Sequence, residues 1–337
     1  AFGLTIHGHD QEDLYVYETH PDDPDLYRHG DGWARLTTLT EAVPVKGHPD
    51  QTVTLQFTRH GPLLHRIPGR AFALRTVWTG PGTAPYMASL SVMRATTPPA
   101  YLAALRGWGC PSVNHIYGDT AGHILWKPSG AAPIRKGWQG LLPVPGDGRF
   151  EWQGLHGPDH APVEANPPRG YIATANAINL PPSWEGPIPG HEWLDSSRHD
   201  FLNAALAGND RVTLKDCAAM QTSLHSGIAL GLAGRLQGAG VPAPVRALLE
   251  GFDGRLSADS AAAAFLEIWL TRHLGPAIAR HLGATEAVLP LLQPCDPASV
   301  LNWMQAQEAL PPDILASLDA AWADCAALMG ADPQIGR

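Results

Sequence analysis

Lysine is scarce in this chain of 337 residues. Only four of its 23 basic residues are lysines, and it has 32 acidic residues. The formal net charge is −9, and the arginines are scattered along the sequence instead of forming a cluster. A protein that binds a phosphate backbone needs a basic stripe on its surface. The charge balance therefore argues against a role in nucleic-acid binding.

Several motifs that would define a site or a membrane segment are also absent. The sequence has no Gly-x-Ser-x-Gly elbow, no HExxH pair and no glycine-rich phosphate loop. No apolar run approaches the roughly 18 residues that a membrane span needs, and the sequence shows no signal peptide. The cysteines form no CxxC pair, which predicts separate buried thiols, although a disulfide is compatible with the spacing. They are Cys110, Cys217, Cys295 and Cys325.

Glycine and proline are abundant, with 35 and 32 residues, and favour turns and irregular loops over long helices. The first half alternates apolar and polar residues as half-buried strands do. The predicted strands are Leu14–Glu18, Thr52–Thr58 and Phe72–Trp78, and Tyr101–Arg106 is a short predicted helix. After about residue 195 the apolar spacing becomes helical, with a Ser257 cap on the third helix. The predicted helices are Arg198–Ala207, Thr213–Gln237, Ser257–His281 and Pro311–Met329. We therefore predict an α+β fold with a β-rich region 1–195 and a helical region 196–337.

The most informative segment runs from Asn114 to Asn176. It contains Asp119-Thr-Ala-Gly122, which has the pattern of a hairpin turn, and it closes on Asn166-Pro-Pro-Arg-Gly-Tyr-Ile-Ala-Thr-Ala-Asn176. Within this motif, Gly170-Tyr-Ile-Ala-Thr-Ala is predicted to be a β-run that ends at Asn176. By spacing alone, Asn176 is better explained as a turn residue or as a buried amide bonded to the backbone than as a functional residue. Together with Gly3-Leu-Thr-Ile6, this segment resembles the β-subunit of the penicillin acylase family of N-terminal-nucleophile amide hydrolases.

This resemblance implies a partial four-layer αββα sandwich and hydrolysis of linear amides, such as an acylated β-lactam nucleus or an N-acyl-homoserine lactone. In the family, an N-terminal serine attacks the amide carbonyl and its own α-amino group acts as the base. The match assigns the oxyanion donors to the backbone N–H of Ile6 and the side chain of Asn176. It places Arg198 close to the active site, although a surface helix arginine fits that position equally well.

The resemblance also places the nucleophile several dozen residues before Ala1. We therefore expect this β-subunit fragment to be inactive alone, and to need the α-subunit from the same precursor. A small-molecule N-acyl amide is the implied substrate, and a periplasmic or secreted location is the implied compartment.

An acidic cluster follows Gly8. By the resemblance, Asp10 and Asp13 supply carboxylates and Glu12 a backbone oxygen to a structural Ca²⁺, a cation that takes six to eight oxygen ligands. The resemblance adds the Gly140 carbonyl and the Glu192 carboxylate to this set. A solvated turn remains the alternative for the acidic residues.

Two other classes of function stay open from the residues. A carbohydrate-active or sugar-binding protein would account for the eleven tryptophans and could use Glu151 and Asp195 as paired carboxylates. A non-catalytic relative of the acylases is the second alternative. The pair His7-Gly-His9 has no third histidine at metal-ligand spacing, which favours ordinary surface or core histidines.

Overall fold

Strands dominate the first of two compact units in the computed structural model, Ala1–Leu194, and helices dominate the second, Asp195–Arg337. The structure describes residues 1–83, 85–186, 189–209, 211–238, 240–292 and 295–329. In these residues the strands are β1 (Phe2–Ile6), β2 (Glu12–Glu18), β3 (Leu26–His29), β4 (Gly32–Arg35), β5 (Thr37–Val43), β6 (Gln51–Thr58), β7 (Gly61–Ile67), β8 (Arg70–Thr76), β9 (Val113–Gly118), β10 (Ile124–Ser129), β11 (Ala132–Arg135), β12 (Val144–Pro145), β13 (Trp152–His156) and β14 (Glu164–Ala165). The first unit also contains helices α1 (Pro85–Val92) and α2 (Pro98–Leu105).

The larger sheet of the first unit has the strand order β12-β2-β8-β7-β6-β5. Strand β2 alternates buried and accessible residues, and buries Tyr15 and Tyr17 completely or nearly so against Ala73 and its neighbours. Its partner β8 is antiparallel, whereas the short β12 pairs with it in parallel through Val144 and Tyr15. The strands predicted around Leu14–Glu18 and Thr52–Thr58 are therefore confirmed.

The second sheet has the strand order β1-β9-β10-β14 and holds the segment that begins at Asn114. Strands β9 and β10 form the predicted hairpin, in which Gly122 has φ +89° and Asp119 Oδ1 accepts hydrogen bonds from two backbone N–H groups of the turn. Helix α2 begins after Thr97, whose hydroxyl accepts from the Ala100 N–H. Its buried Tyr101 belongs to an apolar cluster with residues of β9 and β10.

The predicted β-run that ends at Asn176 is not a strand. Strand β14 stops at Ala165, and residues 171–176 have no ladder partner. The sequence Pro167-Pro168 removes two backbone donors, and Gly170 and Asn176 have φ of +75° and +65°. A chain that turns through the left-handed region twice in seven residues cannot remain in a pleated ladder.

The second unit is helical in its described residues. Its helices are α3 (Ser197–Ala207), α4 (Leu214–Gln221), α5 (Gly227–Arg235), α6 (Ala243–Leu249), α7 (Ala261–Ile268), α8 (Gly275–His281), α9 (Pro297–Gln305) and α10 (Pro312–Met329). A π-helical turn, Trp269–Leu274, joins α7 to α8 and lets the chain continue without a break. Buried residues of α5 to α10 form one apolar core around Phe265 and Trp269.

Two predictions about these helices were wrong. The stretch predicted as one helix from Thr213 to Gln237 is divided, because Ser226 caps a new helix by accepting from the Ala229 N–H. Helix α7 is capped by Ser260 and not by Ser257.

Cysteine and hydropathy predictions can be checked directly. All four cysteines are free thiols, as their spacing predicted, but only Cys110 and Cys325 are buried, whereas Cys217 and Cys295 are partly exposed. Among the residues that the structure describes, no helix combines the length and the apolar character needed to cross a bilayer.

Candidate active site

The backbone of Ile6 faces away from its neighbouring strand. Ala1 and Gly118 exchange two hydrogen bonds of 2.7 and 3.0 Å, and the His7 N–H donates to Ser112 at 3.2 Å. In an antiparallel ladder the hydrogen-bonded pairs alternate, so the odd-numbered residues of β1 bond to β9. The N–H and C=O of Ile6 therefore point off the edge of the sheet.

The side chain of Asn176 lies at this same edge. Its Nδ2 donates to the Ile6 carbonyl oxygen at 3.0 Å, and its left-handed backbone is a conformation that asparagine tolerates better than most residues. Two residues earlier, Thr174 accepts a 3.0 Å hydrogen bond from the Thr5 hydroxyl. The segment 174–176 is thus held against β1, and the structure brings together the two residues that the family resemblance assigned to oxyanion binding.

A second amide supports the first. Asn114, on β9, is completely buried, and its Nδ2 donates to the Ile6 carbonyl oxygen at 3.3 Å and to the Thr5 hydroxyl at 3.0 Å. Its Oδ1 accepts from Trp126 Nε1 at 2.7 Å, which fixes the orientation of the amide. This role has no signal in the sequence, because Asn114 looks like any polar residue in an alternating strand.

Arg198 lies in the second unit, in the first turn of helix α3, and its side chain is exposed. Asp195 accepts from the Ser197 N–H at 2.8 Å just before this helix. Glu151, in the first unit, is hydrogen-bonded by His60 at 2.9 Å and by Arg75 at 3.2 Å. Each of the two carboxylates considered for sugar chemistry is therefore engaged in a local structural role.

The predicted calcium ligands surround an arginine. The Arg135 Nε donates to Asp13 Oδ2 at 2.8 Å, and its Nη2 lies 3.1 Å from Asp10 Oδ2 and donates to the Glu12 carbonyl at 3.2 Å. A Cβ placed on Gly140 would lie only 2.6 Å from the guanidinium carbon, so this glycine packs against the same group. The Glu192 side chain is exposed and lines a cleft of about 860 Å³. Asp10, Asp13 and Ile6 line the same cleft.

Histidines that the sequence left as ordinary residues lie beside this cleft. The Nδ1 atoms of His7 and His9 are 2.9 Å apart. Burial, with the nearby charge of His9, lowers the pKa of His7 to about 3, and burial with the charge of Lys127 lowers the pKa of His9 to about 4. Both rings are therefore neutral near pH 7. Within the described ranges, no three His, Cys, Asp or Glu side chains are arranged to hold a metal ion.

Comparison with known proteins identifies the class. The family model for penicillin amidase matches residues 1–337, and the chain belongs to the penicillin amidase family. The chain is 21% identical to the thermostable penicillin G acylase from Alcaligenes faecalis, and the two structures superpose with a TM-score of 0.78. The match covers 100% of this chain and 68% of the acylase chain. This similarity confirms the predicted α+β acylase fold.

Individual relatives are acylases by name. An acyl-homoserine lactone acylase QuiP from Pseudomonas putida is 29% identical over 77% of this chain and 34% of its own length. The penicillin acylase 2 proenzyme of Pseudomonas sp. strain SE83 is 30% identical over 78% of this chain and 35% of its own length. Penicillin G acylase from Escherichia coli is 30% identical over 52% of this chain and 21% of its own. The chain thus spans about a third of the length of the first relatives that it matches.

Proposed function

We propose that this chain is the oxyanion-binding part of an amide hydrolase that cleaves N-acyl compounds. The observation that carries the proposal is the hydrogen bond between Asn176 Nδ2 and the Ile6 carbonyl at the open edge of β1. This bond holds the neutral amide of Asn176 at the sheet edge from which the backbone N–H of Ile6 also points. Membership of the penicillin amidase family supports the same activity.

Hydrolysis of an amide creates negative charge on the carbonyl oxygen in the tetrahedral intermediate. Donors that are already fixed stabilise this charge without reorganising during the reaction, and one such donor is typically worth about 3 kcal/mol of barrier. The Ile6 N–H is fixed because it belongs to a paired strand. The Asn176 amide is fixed by its bond to Ile6 and by the neighbouring contact of Thr174 with Thr5.

The remaining groups of the reaction are proposed to come from the rest of the protein. An N-terminal serine would act as nucleophile, with its own amino group as the base, after cleavage of a precursor into two subunits. The name of the relative from strain SE83, a proenzyme, supports this expectation. The substrates we propose are those in the relatives' names, acyl-homoserine lactones and penicillins, since both contain a linear amide.

The test is Asn176→Ala in the complete enzyme, assayed with one substrate of each kind. We expect kcat to fall by about 10²–10³ with little change in KM, because the lost interaction is made mainly in the transition state. The matched control is Ile6→Val, which changes an exposed side chain but keeps the backbone N–H. Its kcat is expected to stay near the wild-type value.

Two outcomes would contradict the proposal. If Asn176→Ala retains nearly full kcat while folding normally, then Asn176 does not bind the oxyanion. If the complete wild-type protein turns over neither substrate, the chain belongs to a non-catalytic relative or to an enzyme of another specificity, and a broader panel of N-acyl amines separates these two cases.

A further inference from the structure

The side chain of Arg135 contacts three members of the acidic cluster after Gly8. It ends strand β11, and only 9% of its side chain is exposed. Its Nε bonds to Asp13, and its Nη2 carries two hydrogens and has two partners, Asp10 and the Glu12 carbonyl. The guanidinium thus donates hydrogen bonds to the Asp13 carboxylate and the Glu12 carbonyl, and forms an ion pair with Asp10.

These partners are the oxygen atoms that a calcium ion would need. The ion binds hard oxygen ligands at 2.3–2.6 Å, and sites of this kind combine carboxylates with backbone carbonyls. Here the three oxygens lie 2.8 to 3.2 Å from guanidinium nitrogens, which are hydrogen-bond distances. A divalent ion held by the same oxygens would lie next to a buried positive charge, and the two cations would repel each other strongly at such short range.

The surroundings of the guanidinium are also built for it. Trp152 Nε1 donates to Asp13 Oδ2 at 2.6 Å, so this oxygen already has two donors. The backbone at Gly140 approaches the guanidinium so closely that a side chain there would collide with it. The Trp138 ring centroid lies 5.4 Å from the guanidinium carbon, within the range of a cation–π contact.

We propose that the Arg135 guanidinium takes the place of a structural calcium ion in this chain, and that the fold of residues 10–13 is independent of calcium. The side chain joins β11 to the start of β2 and thereby holds the segment that follows Ile6. The Asp13 Oδ1 atom is buried and has no hydrogen-bond partner among the described residues, so it is the first oxygen that a cation would bind if the guanidinium were removed.

The experiment measures the melting temperature and the calcium affinity of the full protein. For the wild type, we expect neither EDTA nor millimolar Ca²⁺ to shift the melting temperature, and no saturable Tb³⁺ luminescence from a site near Trp152. In Arg135→Ala, the buried Asp13 and the half-buried Asp10 lose their counter-charge, so the melting temperature should fall. Added Ca²⁺ should then raise it in a concentration-dependent way, because a ligand that binds only the folded state stabilises that state.

The matched control is Arg149→Ala, which removes an arginine paired with Asp147 on the exposed surface. Its melting temperature should change little and should not respond to Ca²⁺. If Arg135→Ala does not fold, Arg135→Lys keeps the charge and loses the fork, and the wild-type measurement stands by itself. A wild type that Ca²⁺ stabilises, with the effect lost in Asp13→Asn, would refute the proposal, as would a folded Arg135→Ala that Ca²⁺ does not stabilise.

Discussion

Replacement of Asn114 by Asp changes one atom of a completely buried side chain. The carboxyl keeps the oxygen that accepts from Trp126 Nε1, but it loses both hydrogens that now bond to Thr5 and to the Ile6 carbonyl. Two hydrogen bonds at about 1 kcal/mol each give a lower bound of about 2 kcal/mol for the loss of unfolding free energy.

The upper bound follows from protonation. An ionised carboxylate beside the Ile6 carbonyl oxygen is unfavourable, and the group can escape this cost by taking up a proton. At pH 7 the free energy of protonating a carboxyl with an ordinary pKa near 3.9 is about 4 kcal/mol, since each pH unit is worth about 1.4 kcal/mol. A protonated carboxyl has one hydrogen where the amide has two, so one hydrogen bond of about 1 kcal/mol is still lost. We therefore expect Asn114→Asp to destabilise the protein by about 2–5 kcal/mol at pH 7.

The sign of the pH dependence follows from the same reasoning. The folded-state pKa of Asp at position 114 would be raised above the unfolded value, so the folded variant binds more protons than the unfolded variant between those values. The difference in stability from the wild type should therefore shrink as the pH falls from 7 towards 5.

Urea denaturation followed by tryptophan fluorescence measures this difference at each pH. Asn302→Asp is the matched control, because Asn302 is exposed on helix α9, and it should change stability by less than about 0.5 kcal/mol. An Asn114→Asp variant as stable as the control, or one whose deficit does not shrink with acidification, would show that the Asn114 network does not hold β1 as we describe.

Two further predictions concern a glycine and the buried histidines. Gly61→Ala should destabilise the protein by at least about 2 kcal/mol, because Gly61 has φ +146° and the new Cβ would lie 2.0 Å from the Leu74 carbonyl oxygen. Gly69→Ala is the control: the space around Gly69 is open, so this variant should lose only about 1 kcal/mol of stability. Comparable urea midpoints for the two variants would contradict this. Burial lowers the pKa of His7 to about 3 and the pKa of His9, His60 and His115 to about 4. Below pH 6.5 these histidines are neutral in the folded protein and protonated in the unfolded chain, so unfolding takes up protons. The free energy of unfolding should therefore fall as the pH is lowered from 6.5 to 5, by at most about 1.4 kcal/mol per pH unit for each histidine. Stability that does not change over this range would show that these rings are not kept neutral by the fold.

Alternation predicted the sheet strands well because half-buried strands have one core face and one exposed face. Strand β2 buries Tyr15 and Tyr17 and exposes Glu18, and this periodicity is visible without a structure. The helix break before Ser226 was missed because apolar spacing continues across it. Only the hydrogen bond from the Ala229 N–H to the Ser226 hydroxyl decides where the new helix begins.

The site could be predicted only in part, and the resemblance carried that part. A single asparagine forms no sequence pattern, so only the family motif could link Asn176 to Ile6. These two residues are 170 positions apart in the sequence and meet at one strand edge in the structure. Arg135 and Asn114 could not be found in this way. Each is an ordinary residue in a strand, and its partners are assembled by the register of the sheets.

The pairing of β1 with β9 has a consequence for biosynthesis. Ala1 and Gly118, which exchange the first pair of hydrogen bonds, are 117 residues apart in the chain. During synthesis on the ribosome, β1 is made long before β9, so the ladder between these two strands can form only after residues through Gly118 have been added. The order of translation therefore makes the edge that carries Ile6 one of the late-maturing parts of the first unit, after hairpins such as β5–β6, whose two strands are neighbours in sequence.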